Sequence, residues 1–146
     1  MGDDSGRQVF GPLIEQAKTG AVSLKVNPQA FVALDQAMEK RKTEIRAIQQ
    51  LVQQVNQHES WGLGEKSAVL TSAHTLVQRF RDKGSGGGSS AHEALEGHWQ
   101  VADEVQSLFR TIRERLQQTD SEFAAQYRAI STAPGPAAPG PSAESV

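Results

Sequence analysis

The stretch PQAFVALDQAMEKRKTEIRAIQQLVQQVNQHE, residues 28–59, decides the fold of this chain. Its apolar residues recur at alternating spacings of three and four, which is typical of a helix that pairs lengthwise with another helix. They fill seven of eight positions in a heptad seam, namely Phe31, Leu34, Met38, Ile45, Ile48, Val52 and Val55. Arg41 occupies the eighth position. The sequence therefore predicts one long amphipathic helix, with glutamines such as Gln49 and Gln50 on its polar side.

Local signals indicate where the neighbouring elements begin and end. Asn27 can cap free backbone N–H groups, and Pro28 suits the first position of a helix. The segment SWGLG, residues 60–64, should end the first long helix because its two glycines can adopt positive φ. A shorter amphipathic helix is predicted over residues 65–83, and the Gly-rich stretch 84–90 is expected to be a flexible linker.

A second heptad repeat runs through the C-terminal part of the chain. The residues that recur every seven positions are Leu95, Ala102, Phe109, Leu116 and Phe123, and Val105 and Ile112 lie between them. Ser90 or Ser89, together with Glu93, resembles a capping box at its start. We predict a second long helix over residues 91–130. The Pro/Ala-rich tail 132–146 is expected to be disordered.

These elements predict an all-α protein. Helices 28–59 and 91–130 should pack lengthwise and antiparallel, with helix 65–83 packed against one end. An up-down-up three-helix bundle is the alternative, because the Gly-rich linker permits either arrangement. Residues 1–27 are expected to form a weakly patterned lead-in to a helical domain over 28–131.

Composition excludes several classes of protein. The net charge is −2, with 15 basic and 17 acidic residues, so the sustained basic face of a nucleic-acid binder is not expected. The chain contains no cysteine, which excludes disulfides and thiol catalysis. The opening MGDDSGRQVF is acidic and lacks the apolar run of a signal peptide. No stretch has the apolar length of a membrane span. We therefore expect a chain made in the cytoplasm that, if exported, leaves without a conventional signal.

The residues offer no constellation for catalysis or metal binding. His92 and His98 are six residues apart, so they lie about 120° apart around a helix rather than on one face. The serines within 84–90 have no strand-turn-helix context, and the acidic pairs have ordinary helix-surface spacings. We predict that the protein is not an enzyme and has no catalytic, cofactor-binding or metal-binding residues.

The end of the second long helix has an unexpected pattern. Leu116, Asp120, Phe123 and Tyr127 are spaced by four, three and four residues, which places them on one face of a helix just before the tail. The heptad repeat requires Leu116 and Phe123 but not the other two. An apolar face that continues to the end of a helix can bind in a groove on a partner protein. We call these four residues the C-terminal recognition face.

This pattern, taken with the turn after the first long helix, resembles the WXG family of helical-hairpin proteins of the type VII secretion system. The turn residues are Trp61, Gly62 and Gly64, reading Trp-Gly-Leu-Gly where the family has Trp-x-Gly. Near the C-terminus the family has a hydrophobic-x3-acidic-x2-hydrophobic-x3-hydrophobic pattern linked to export. A larger actinobacterial group of type VII-associated proteins looks closer still, with a short helix and a Gly-rich loop between two long helices. The resemblance covers roughly residues 27–130.

The resemblance implies a non-enzymatic protein that acts through helix–helix pairing as a secreted partner or as a helper for a larger toxin or effector. Its partners would be another small helical protein or a second copy, and a toxin, effector or secretion ATPase. The alternative is a cytoplasmic coiled-coil adaptor or antitoxin-like binder. Independently of the resemblance, a leftover apolar stripe predicts a homo- or heterodimer. Its residues are Val69, Leu76, Phe80, Trp99 and Leu108.

Overall fold

The computed structural model describes residues 10–20 and 27–133, which form five α-helices. They are α1 (Gly11–Lys18), α2 (Pro28–Asn56), α3 (Thr71–Ser85), α4 (Ala91–Thr119) and α5 (Ser121–Thr132). No β-strand occurs in these two ranges. The prediction of an all-α fold is confirmed for this part of the chain. The prediction of a disordered tail falls almost entirely outside the described residues.

The first long helix begins as predicted but ends earlier. Asn27 Oδ1 accepts a hydrogen bond from Ala30 N at 2.8 Å, and Pro28 occupies the first turn. The helix ends at Asn56 rather than at residue 59. Residues 57–70 form an irregular loop, so α3 starts at Thr71 and not at residue 65. Inside this loop the Glu65 carboxylate accepts hydrogen bonds from backbone N–H groups, and such local bonds compete with helix formation.

The second long helix is interrupted at Asp120, so the prediction of one helix over 91–130 is wrong. Asp120 has an extended backbone, with φ −128° and ψ 105°, and separates α4 from α5. Its Oδ1 accepts a hydrogen bond from Phe123 N at 3.0 Å. An aspartate that bonds to the N–H three residues further on starts a new helix instead of continuing the old one. The aromatic ring of Phe123 then meets Phe31 of α2 edge to face, with centroids 5.6 Å apart.

The start of α4 matches one of the two predicted caps. Ser90 Oγ accepts a hydrogen bond from Glu93 N at 3.3 Å, so Ser90 is the capping residue. The return bond of a capping box is absent here because Ser90 N donates to Gly87 O at 2.8 Å. Helix α3 extends to Ser85, which shortens the predicted Gly-rich linker to residues 86–90.

The apolar core lies at one end of the molecule, where α1 and the first turns of α2 meet the last turns of α4 and the first turns of α5. Its buried residues are Ala17, Phe31, Leu108, Ile112 and Phe123, with Phe10, Ile14, Phe109, Leu116 and Tyr127 packed around them. Phe10 N also donates to Glu104 Oε2 at 2.9 Å, which ties the start of α1 to α4. Helix α1 therefore contributes directly to the core.

Helices α2 and α4 pack along much of their lengths, and their paired residues run in opposite order. From the core end outward the pairs are Asp35 with Arg110, Lys42 with Asp103, Arg46 with Glu96 and Gln49 with His92. At the far end α3 packs against α2 through buried Val77. There Asn56 Nδ2 donates to Arg81 O at 3.0 Å, and Arg81 donates to His58 O at 2.9 Å.

Candidate interaction surface

The face of α2 that is turned inward differs from the predicted seam. Eight residues, spaced alternately by four and three, are buried or half-buried there, and we call them the inner row. They are Phe31, Asp35, Met38, Lys42, Ile45, Gln49, Val52 and Asn56. Every second member is polar. The predicted seam is right for the four apolar members, but it is wrong for Ile48 and Val55, which are exposed.

The polar members of the inner row nearest the core are paired with α4. Asp35 accepts a charge-assisted bond from Arg110 NH2 at 2.9 Å, and its bonds to Arg110 lower the pKa of the Asp35 carboxyl. Lys42 Nζ donates to Asp103 Oδ1 at 2.7 Å and to Gln106 Oε1 at 3.0 Å. Gln106 in turn donates to Asp35 O at 3.2 Å. These groups satisfy one another across the helix pair.

The remaining polar members are also satisfied. Gln49 Nε2 donates to His92 O and to Glu96 Oε2, both at 3.1 Å, while its Oε1 accepts from Arg46 at 2.8 Å. Hydrogen bonds from Arg46 first, and from Gln49 second, lower the pKa of Glu96. Buried polar groups are costly when left without partners, so this set of bonds favours a single register of α2 against α4.

Trp99 of α4 contacts two cations of α2. Its ring centroid is 5.0 Å from Lys42 Nζ and 4.3 Å from Arg46 Cζ, a cation–π arrangement. Trp99 is half-buried and Leu108 is part of the core. These two residues therefore do not belong to an exposed stripe, contrary to the prediction. The other three predicted members, Val69, Leu76 and Phe80, are exposed.

An apolar stripe lies on the outside of α2, next to the inner row. It consists of Ile48, Leu51 and Val55, which are 46%, 59% and 54% exposed, and we call it the outer stripe. Spacings of three and four put the three side chains on one helix face over about 10 Å. Glu44, one turn before Ile48 on the same helix face, is exposed, whereas Gln54, beside Leu51 and Val55, is uncharged. The outer stripe is thus an apolar helix face that no described residue covers fully.

The predicted turn lies in the loop between α2 and α3. Gly62 and Gly64 have φ of 71° and 87°, which L side chains rarely adopt. The Trp61 ring stacks on Phe80 of α3, with centroids 5.8 Å apart and an interplanar angle of 8°. The Glu65 carboxylate accepts hydrogen bonds from the Glu65 backbone N–H, which has the largest effect, and from the Trp61 N–H. These bonds lower the pKa of Glu65 to about 2. The Glu65 carboxylate therefore holds the turn, and the turn positions Trp61 against α3.

The predicted C-terminal recognition face packs largely against the core. Leu116 is half-buried, and Phe123 is only 7% exposed. The Tyr127 hydroxyl accepts a hydrogen bond from Arg113 at 3.1 Å, and its ring stacks on Phe123. Asp120 is exposed, but it is the cap of α5. The four residues do not share one continuous helix face, because the chain turns at Asp120.

Residues 10–20 and 27–133 contain no group of three or more His, Cys, Asp or Glu that could hold a metal ion. None of the helices in these ranges is long and apolar enough to cross a membrane.

Sequence reasoning missed the polar half of the inner row. Gln49 was expected on the polar side of the first helix, yet it is 3% exposed. A signal was available, because Asp35, Lys42, Gln49 and Asn56 recur every seven residues, each one position after a residue of the predicted seam. In the comparisons with known proteins, no family model, curated protein or solved structure matches this chain.

Proposed function

We propose that this chain is a non-enzymatic helix-pairing protein of the type VII secretion kind, and that the outer stripe is the surface that pairs. In this proposal α2 and α4 form an antiparallel helical hairpin with α3 packed at one end. The opposite order of the α2–α4 pairs supports the hairpin. The observation that carries the function is the placement of Ile48, Leu51 and Val55 on the outside of α2.

The distribution of side chains on α2 favours pairing with another helix. Polar residues occupy half of the inner row, although an apolar residue directly precedes three of these four. Each outer-stripe side chain is about half exposed, so a partner helix that covers it would gain about 1 kcal/mol per side chain. The internal polar bonds keep the hairpin in register while the apolar side chains remain free for a partner.

The partner in this proposal is another small helical protein or a second copy, giving a heterodimer or a homodimer. Charged residues beside a helix seam usually select the partner and its orientation. The exposed residues on this face of α2 include Glu44, one turn before Ile48, and the neutral Gln54. The net charge of −2 gives little repulsion between copies. These features permit either kind of dimer.

The link to type VII secretion is supported by the turn residues Trp61, Gly62 and Gly64 and by the C-terminal pattern. In this proposal the chain is made in the cytoplasm and exported without a conventional signal, alone or beside a toxin or effector, and a secretion ATPase reads the C-terminal pattern. Since Phe123 and Tyr127 pack on the core, reading that pattern requires α5 to leave the core.

The pairing test compares Leu51→Glu with Gln54→Glu. Both add one negative charge to an exposed position of α2, but only the first places it in the outer stripe. Light scattering and co-purification should show a dimer or a copurified helical partner for the parent chain and for Gln54→Glu. Leu51→Glu should lose the association while its circular dichroism stays helical. A parent chain that stays monomeric and recovers no partner would contradict the pairing function.

The export test uses Asp120→Asn, because asparagine keeps the helix cap and removes the charge. Parent and variant are expressed in a host with a working type VII system, and secretion is compared with melting temperature. The proposal expects the parent to be exported and the variant to be retained although it melts like the parent. If the parent pairs but is never exported, the cytoplasmic adaptor or antitoxin-like function takes its place.

A further inference from the structure

A second apolar surface lies on the loop side of α3, with chemistry that differs from that of the outer stripe. It is an open groove between the loop and α3, lined chiefly by Leu63, Leu70, Ala73, Leu76 and Arg79. Leu63, Leu70 and Leu76 are each more than 40% exposed. A side chain at Gly64 would come within 2.9 Å of Leu70 Cδ1, so the glycine lets the loop approach Leu70 closely.

Arg79 lines this groove, and a second cation, Lys83, lies one helical turn further along α3. Ser72, Leu76, Arg79 and Lys83 follow one another at spacings of four, three and four on α3, so they share one face. Arg79 has no ion pair among the described residues, and Lys83 donates only to Ser89 Oγ at 3.2 Å.

The nearby acidic side chains are turned to other partners. The Glu65 carboxylate accepts hydrogen bonds from the backbone of the turn, including Leu63 N at 2.9 Å. Asp82 Oδ1 accepts from Gln78 Nε2 at 3.2 Å. The groove thus combines leucine side chains with Arg79, and Lys83 lies one turn further along α3; neither cation forms an ion pair within the described part of the chain.

We propose that this groove binds an acidic amphipathic helix of a partner protein. Leucine-like side chains of that helix would fit between Leu63, Leu70 and Leu76, and its carboxylates would pair with Arg79 and Lys83. The two cations are one helical turn apart, about 6 Å along the axis, which matches carboxylates four residues apart on a partner helix. Charge complementarity of this kind selects the partner and speeds its encounter.

A protein helix fits this surface better than a membrane does. A helix that lies on a membrane presents a broad convex apolar face with many Lys and Arg residues beside it. Here the apolar residues line an open groove between the loop and α3, with Arg79 in the lining and Lys83 one turn further along the helix. The groove is formed by the loop and α3, whereas the outer stripe lies on α2, so this inference does not depend on the proposed pairing function.

The test uses three designed helical peptides with the same leucine stripe and with Glu, Gln or Lys at the flanking positions. Fluorescence anisotropy should show that the Glu peptide binds the parent chain at least tenfold more tightly than the Gln peptide. Amide chemical shifts should change at Leu63, Leu70, Leu76 and Arg79. Arg79→Glu should weaken binding of the Glu peptide at least tenfold and improve binding of the Lys peptide.

Lys40→Glu is the matched control, since Lys40 is an exposed cation of α2 whose side chain is 79% accessible. It should bind the Glu peptide like the parent chain. Leu76→Ala should weaken all three peptides while leaving the helical circular dichroism unchanged. Equal losses for Arg79→Glu and Lys40→Glu, equal binding of the Glu and Gln peptides, or no binding would overturn the proposal. Binding to anionic vesicles without binding to the Glu peptide would also overturn it.

Discussion

Gln49 and Ile48 are neighbours in α2, yet the glutamine is buried at the contact with α4 and the isoleucine is about half exposed. The usual preference of the two side chains is thus reversed. Gln49 is accommodated because all its bonds go to Arg46, Glu96 and the backbone of His92. Ile48 then remains on the outside. This relationship connects the packing of α2 against α4 with the proposed pairing function.

Gln106 should be a major polar contributor to the stability of the helix pair. It is 2% exposed and bonds to Lys42, to Asp35 O and to Glu39. Gln106→Ala leaves buried groups without partners, so we expect a loss of about 1–3 kcal/mol in the free energy of unfolding. Gln100→Ala, at an exposed position of the same helix, should change it by less than about 0.5 kcal/mol. Urea unfolding measures the free energy of unfolding of both variants, and similar midpoints for the two would contradict this role of Gln106.

Asp120 should act as a cap rather than as a solvated surface charge. Asp120→Ala removes the acceptor for Phe123 N and should cost about 1 kcal/mol of stability. Asp120→Asn and Asp120→Ser keep an acceptor, so both should melt close to the parent chain. Thermal unfolding followed by circular dichroism compares the three. Indistinguishable melting of Asp120→Ala and Asp120→Asn would show that this cap is not formed in solution.

The turn at Trp61 should depend on pH through Glu65. The pKa of the Glu65 carboxyl is lowered from the usual 4.5 to about 2, so the carboxylate favours the folded turn at pH values above about 4.5. This contribution is lost as the pH falls from 4.5 through 2, because the unfolded chain binds the proton first. A carboxyl titration by NMR should give a Glu65 pKa near 2. Trp61 should become more mobile in Glu65→Gln at neutral pH, whereas a Glu65 pKa near 4.5 would contradict the bonded turn.

The helical class and the starts of α2 and α4 were predictable because they depend on local chemistry, whereas the predicted start of α3 was wrong. Asn27 and Ser90 cap helices as their sequence context indicates, and Gly62 and Gly64 adopt the expected positive φ. The break at Asp120 was missed because an aspartate inside a heptad repeat fits a helix surface as well as a cap. In the structure Asp120 is a cap, and the helix that it starts places the Phe123 ring against Phe31.

The inner face of α2 could not be predicted from apolar spacing alone. Either of two adjacent rows of α2 could face inward, and both contain the apolar positions 31, 38, 45 and 52. One row adds positions 48 and 55, and the other adds positions 49 and 56. The choice depends on α4, which presents Glu96, Asp103 and Gln106 as partners for polar side chains. Pairing between distant segments therefore overrides the local pattern. Because Gln49 and Asn56 face inward, Ile48 and Val55 are left exposed in the outer stripe.

The most direct test of the account places single cysteines at positions 48 and 49 of this cysteine-free chain. Rates of labelling by a thiol reagent are measured for Ile48→Cys and Gln49→Cys at low protein concentration. The account predicts that position 48 is labelled at least tenfold faster than position 49. It also predicts that labelling at 48 slows when the chain is concentrated or when its partner is added. Fast labelling at position 49 together with slow labelling at position 48 at every concentration would contradict the account.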